Sequence, residues 1–155
     1  MKSIVKNIKT LMILVISFTS AEFVNANTAA ADTLQATQAE TAVQNDRMEK
    51  VLLYGLQSDV DGILEATFYN TIAYKTLNPE FSSEIILEKI TEIAFEEKSH
   101  VVRYKAFLAL SYLKDYEEYA EDNEKLRTYV MTNQPMDAFQ VIIDNLEAQQ
   151  VAANQ

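Results

Sequence analysis

The chain contains no cysteine and no tryptophan, a single histidine, and only two glycines and two prolines in 155 residues. Without cysteine there is no disulfide framework, thiol nucleophile, Cys-ligated zinc or iron–sulfur cluster. One histidine excludes a multi-His metal site. Average usage of Gly and Pro, about 12% together, would give roughly 19 such residues in a chain of this size. The actual number is too small for a dinucleotide fingerprint, a phosphate-cradling loop or the tight turns of a many-stranded barrel. What remains calls for no cofactor.

Basic residues are also scarce, with Lys+Arg 13 against Asp+Glu 23 and a net charge of −10. Three of the lysines, Lys2, Lys6 and Lys9, precede the apolar run Leu11–Phe18; small and polar residues follow, ending in Val24-Asn25-Ala26. A basic head, a short apolar middle and a small-residue exit make a secretory signal over residues 1–26, cleaved after about Ala26. The alternative is an uncleaved amphipathic N-terminal helix. The apolar run falls well short of the ~20 residues that span a bilayer, so no stable membrane insertion is expected after cleavage. No cysteine follows it, which excludes a lipoprotein anchor. Removing Lys2, Lys6, Lys9 and Glu22 leaves 10 basic and 22 acidic groups, net −12. Such a chain is repelled by nucleic acid and anionic membranes. An exported bacterial protein, periplasmic or secreted and held together by packing alone, is the expectation.

Residues 27–45, NTAAADTLQATQAETAVQN, offer only Leu34 and Val43 as large apolar side chains. This composition reads as a flexible low-complexity leader, with enough alanine to leave a frayed helix open. From 46 to 151 the spacing is helical throughout. Helices are predicted at about 47–56, 62–77, 84–97, 100–114, 125–131 and 136–149. Asp59 or Asp61 is placed to cap the second, Ser82 or Ser83 the third and Ser99 the fourth. Asn78-Pro79 ends the second helix, and Pro135 opens the last.

A shift of 38 residues lays the first helix pair on the second. Leu52 falls on Ile90, Leu56 on Ala94, Asp59 on Glu97, Ile63 on Val101 and Leu64 on Val102. Tyr69 then falls on Phe107, Ile72 on Leu110 and Tyr74 on Tyr112. Helix-pair repeats of this length bury their faces by stacking. The stretch Val102-Arg103-Tyr104-Lys105-Ala106-Phe107-Leu108-Ala109-Leu110 resembles the second helix of a HEAT-type repeat. In that pattern an apolar residue and Arg are followed by Ala, then Ala-Leu. The resemblance covers roughly residues 48–114; in the first copy Glu65 stands where the Arg would be and Phe68 where the Ala would be. It implies an all-α fold, a short α-solenoid of two hairpins with a C-terminal helical cap, used as a binding surface without chemistry of its own. It also implies that Arg103 and a turn residue, here Glu97 or Ser99, steady successive repeats.

On a helical wheel the fourth helix is apolar on two sides, leaving a wedge of Arg103, Phe107 and Lys114. The second helix has Glu65, Tyr69 and Thr76 at the same places. Glu65, Tyr69, Arg103 and Phe107 are therefore the candidate partner-binding residues, an aromatic and a charge from each hairpin on one groove wall. Alternatively, Tyr69 and Phe107 are covered by the C-terminal helix or the leader. Other chemistry is poorly supported. Ser99-His100 lacks a glycine elbow, and neighbours on a helix do not face each other. The acidic stretch Asp115–Glu124 lacks the mid-loop glycine and alternating ligands of a calcium loop, though a calcium- or ligand-responsive sensor stays open. So does an exported hydrolase using a carboxylate pair such as Glu117/Glu121.

Overall fold

A computed structural model describes residues 37–154. The proposed signal and residues 27–36 of the leader lie outside that range. The chain divides into two compact units, Met1–Gln44 and Asn45–Gln155, and the hydrophobic core belongs to the second. Six α-helices and no strand occur among the described residues: α1 (37–56), α2 (Asp61–Leu77), α3 (Glu84–Glu96), α4 (His100–Lys114), α5 (Asn123–Met131) and α6 (Pro135–Ala153). A 3-10 turn, Tyr116–Tyr119, joins α4 to the acidic residues before α5. None of these helices is long and apolar enough to cross a membrane.

Local chemistry explains most boundaries. Ser83 and Ser99 accept hydrogen bonds from the backbone N–H of Ile86 and Val102, satisfying otherwise orphaned donors at the starts of α3 and α4. At the end of α2, the Asn78 side chain donates to the Tyr74 carbonyl, and Lys75 Nζ donates to the carbonyls of Pro79 and Phe81. Two expectations change. Neither Asp59 nor Asp61 caps α2; Val60 occupies that position, with its N–H bonded to Ser58 Oγ. Residues 37–45 of the expected leader are helical and form the first part of α1. Alanine and glutamine favour helix intrinsically, and Thr41 returns its hydroxyl to the Thr37 carbonyl instead of competing for an N–H.

Helix α2 is central and packs against α4, α5 and α6, while α3 packs on α4 through the three-residue turn 97–99. Its buried threonines, Thr67, Thr71 and Thr76, hydrogen-bond to carbonyls one turn earlier, so small polar side chains enter the core already satisfied. Helix α1 comes close at this point: a Cβ on Gly55 would run into the Thr67 side chain. Two contacts fix the direction of α4 on α2. Glu65 meets Lys105 toward the N-terminal ends, and Thr76 meets Tyr112 toward the C-terminal ends. The two helices therefore run the same way. Burial follows the 38-residue offset at most of the apolar pairs but not at Tyr69 and Phe107, which are 9% and 48% exposed. Leu52 and Ile90, Leu64 and Val102, Ile72 and Leu110, and Tyr74 and Tyr112 are buried together, whereas Ile63 and Val101 are both half-exposed.

Candidate functional site

On α2, Gly62, Glu65, Ala66, Tyr69 and Asn70 follow the i, i+3, i+4, i+7, i+8 spacing of one helix face. This face forms one wall of a groove of about 360 Å³. Lys105 enters from α4, while Asn133, Pro135, Met136 and Phe139 close the other side. The α5–α6 corner holds these last residues in place. Asn133 adopts φ 53°, the left-handed conformation that asparagine tolerates better than most residues, and Gln134 N–H bonds to the Tyr129 carbonyl at 2.9 Å. Pro135, with no N–H to leave unsatisfied, then begins α6.

The groove is mixed in character. Lys105 Nζ lies 2.5 Å from Glu65 Oε2, with both side chains only 20% and 29% exposed. The same ammonium sits 5.7 Å from the centre of the Phe139 ring, where a cation is attracted by the π face. Tyr69 is 9% exposed, and its buried hydroxyl has no hydrogen-bond partner among the described residues. Burial raises its pKa, so the phenol stays protonated. An apolar wall with a few fixed polar groups suits a side chain or small organic group, and the volume falls within the ~300–1,000 Å³ of such sites.

The four residues singled out from the sequence separate. Glu65 and Tyr69 line the groove, whereas Arg103 and Phe107 do not. Arg103 donates to the carbonyls of Glu97 and Lys98 and touches His100 Nδ1, tying down the α3–α4 turn. Phe107 is 48% exposed on α4. Lys105 and Phe139 escaped the sequence reading. A cation within one turn of the repeat equivalent of Glu65 was a visible signal for Lys105, but nothing in the periodicity of α6 told which helix Phe139 would face. Thr76, grouped with the wedge on α2, is buried and bonded to Tyr112.

The acidic segment does not gather its carboxylates. Among the described residues no group of three or more His, Asp or Glu side chains is arranged to hold a metal ion. Glu117 and Glu121 are both exposed. Asp122 accepts a hydrogen bond from Asn145 at 2.9 Å, an acid used to fasten α6. No family model, curated protein or solved structure matches the chain.

Proposed function

We infer that this protein is an exported, non-enzymatic interaction module built as a short HEAT-like solenoid. The hairpins α1–α2 and α3–α4 form two stacked units, and α5 and α6 form the C-terminal cap. The direct packing of α2 on α4 and the recurrence of burial at most of the apolar pairs of the 38-residue offset support this reading. Export rests on the N-terminal sequence, with its lysines, short apolar run and Val24-Asn25-Ala26 exit.

The observation that carries the function is the groove between α2, α4 and α6, where Glu65, Tyr69, Lys105, Met136 and Phe139 converge. A protein or peptide segment docks there, an apolar side chain entering beside the Glu65–Lys105 pair. Panning a random peptide library on the folded full chain tests this. Enrichment of sequences with an apolar residue next to a polar or charged one is expected. Ala66→Phe, which places a ring in the groove from an exposed helix position, should abolish capture with an unchanged melting curve. Failure to enrich any sequence, or capture indifferent to Ala66→Phe, overturns the groove as the docking site.

A further inference from the structure

The outward face of α4 differs in chemistry from the rest of the body. From Lys98 to Lys114 the chain has no Asp or Glu, although it contains 23 acids in all. That stretch supplies Lys98, His100, Arg103, Lys105 and Lys114, and only Lys105 is paired with a carboxylate among the described residues. At 100° per residue, Arg103, Phe107 and Lys114 fall within about 40° of one another, with His100 and Tyr104 beside them. Val101, Tyr104 and Phe107 are 55%, 51% and 48% exposed. Exposed aromatics flanked by cations on one rigid helix have the composition of an interface core and its rim.

The repeat supplies a template for the occupant. Tyr69 and Phe107 hold the same place in successive hairpins, yet Tyr69 is buried and Phe107 is not. The α6 residues that share the groove with Tyr69 are Pro135, Met136 and Phe139, all apolar. No described residue provides Phe107 with such a cover, and the cations around it await carboxylates.

We propose that the outward face of α4 binds an acidic amphipathic segment of a partner protein. Its apolar residues rest on Tyr104 and Phe107, and its carboxylates reach Lys114 at one end and His100 and the remaining N–H groups of Arg103 at the other. Arg103 and Lys114 are eleven residues apart, or about 16 Å along the helix, so a helical partner presents acids three turns apart. The net negative charge of the chain does not prevent this. At physiological ionic strength the Debye length is about 8 Å, and the local sign of the α4 face governs contact. A second copy of this chain meets the same long-range repulsion between two net-negative molecules.

The absence of tryptophan from the chain makes the test direct. A synthetic helical peptide with two glutamates eleven residues apart, and leucine and tryptophan between them on the same face, is titrated with the full chain. Its tryptophan emission should shift to the blue and its anisotropy rise. A peptide with lysines in place of the glutamates should bind at least about tenfold more weakly. Phe107→Ala and Lys114→Glu should each cost about tenfold in affinity with the melting temperature unchanged. Equal binding of both peptides, or affinity unaffected by Phe107→Ala, overturns the assignment. So does a dimer in sedimentation that Phe107→Ala dissolves, or binding confined to phosphatidylserine vesicles. Peptides selected on the groove should still bind the Phe107→Ala protein, so failure of one surface is read separately from failure of the other.

Discussion

Two neighbouring tyrosines show how differently the same side chain can be held. Tyr112 is fully buried at the join of α2, α4 and α5, with its hydroxyl 2.8 Å from Thr76 Oγ1 and donating to Asn123 Oδ1 at 3.1 Å. Tyr119 packs edge-on against it with ring centroids 5.1 Å apart, but its own buried hydroxyl has no partner among the described residues. Removing a bonded hydroxyl loses its interactions and strands its partners, whereas removing an unsatisfied one relieves a desolvation cost. Tyr112→Phe should therefore lower stability by about 1–2 kcal/mol, and Tyr119→Phe should be neutral or raise it by up to about 1 kcal/mol. Denaturant titrations of the two variants check the contrast. Burial, then the carboxylates of Asp115, Glu118 and Asp122, push the Tyr119 pKa up to about 12 from 10.0. Between those values the folded state holds a proton that the unfolded state has released. Stability fully present below pH 10 is thus lost as the pH climbs toward 12. Melting temperatures should hold steady to about pH 10 and then fall, with a shallower fall in Tyr119→Phe; Tyr112, whose pKa burial also raises, keeps part of the slope.

Individual helices were more legible than their mutual placement. α4 begins at His100 and ends at Lys114 where the sequence put it, because Ser99 is a strong cap and the apolar spacing stops at Asp115. α1 was less legible: the residues before Asp46 carry no apolar stripe, and intrinsic preference with threonine back-bonding decides their conformation. In the groove, Glu65 and Tyr69 were readable because they share a helix face; Phe139 was not, because its neighbour is chosen by the α5–α6 corner. The same reasoning separates two residues three positions apart on α4. Leu110 is 7% exposed in the core, so Leu110→Ala should cost about 2–5 kcal/mol through lost burial and a residual cavity. Phe107→Ala should change stability by less than about 0.5 kcal/mol, as an exposed substitution does. At the head of the helix, Ser99→Ala removes the acceptor of the Val102 N–H and should cost about 1 kcal/mol, whereas Ser99→Asp restores it. Thermal melts of the four variants give the ordering directly, and a Phe107→Ala loss as large as that of Leu110→Ala would return Phe107 to the core.

For the molecule as a whole, the decisive property is that α4 lies directly against α2, since stacked hairpins set the second helices of both units side by side. An up-and-down four-helix bundle also runs α2 and α4 the same way, but sets them diagonally across its core instead of side by side. The absence of cysteine allows engineered thiols to report this without background. Glu65 and Lys105 touch across the two helices and are both partly exposed, so Glu65→Cys with Lys105→Cys should link efficiently under a short bifunctional maleimide. Ser111 lies six residues further along α4, about 9 Å along the axis, and Glu65→Cys with Ser111→Cys should link poorly. A diagonal placement of the two helices predicts that neither pair links efficiently, because the core would then separate Glu65 from every residue of α4. Replacing the ion pair is tolerable for the comparison: it is a solvent-touched bridge on a helix pair whose cohesion comes from Leu64, Phe68, Ile72, Val102, Ala106 and Ala109, all buried. Failure of the Lys105 pair to link in folded protein would overturn the proposed stacking of the hairpins and the repeat-based equivalence of Tyr69 and Phe107 with it.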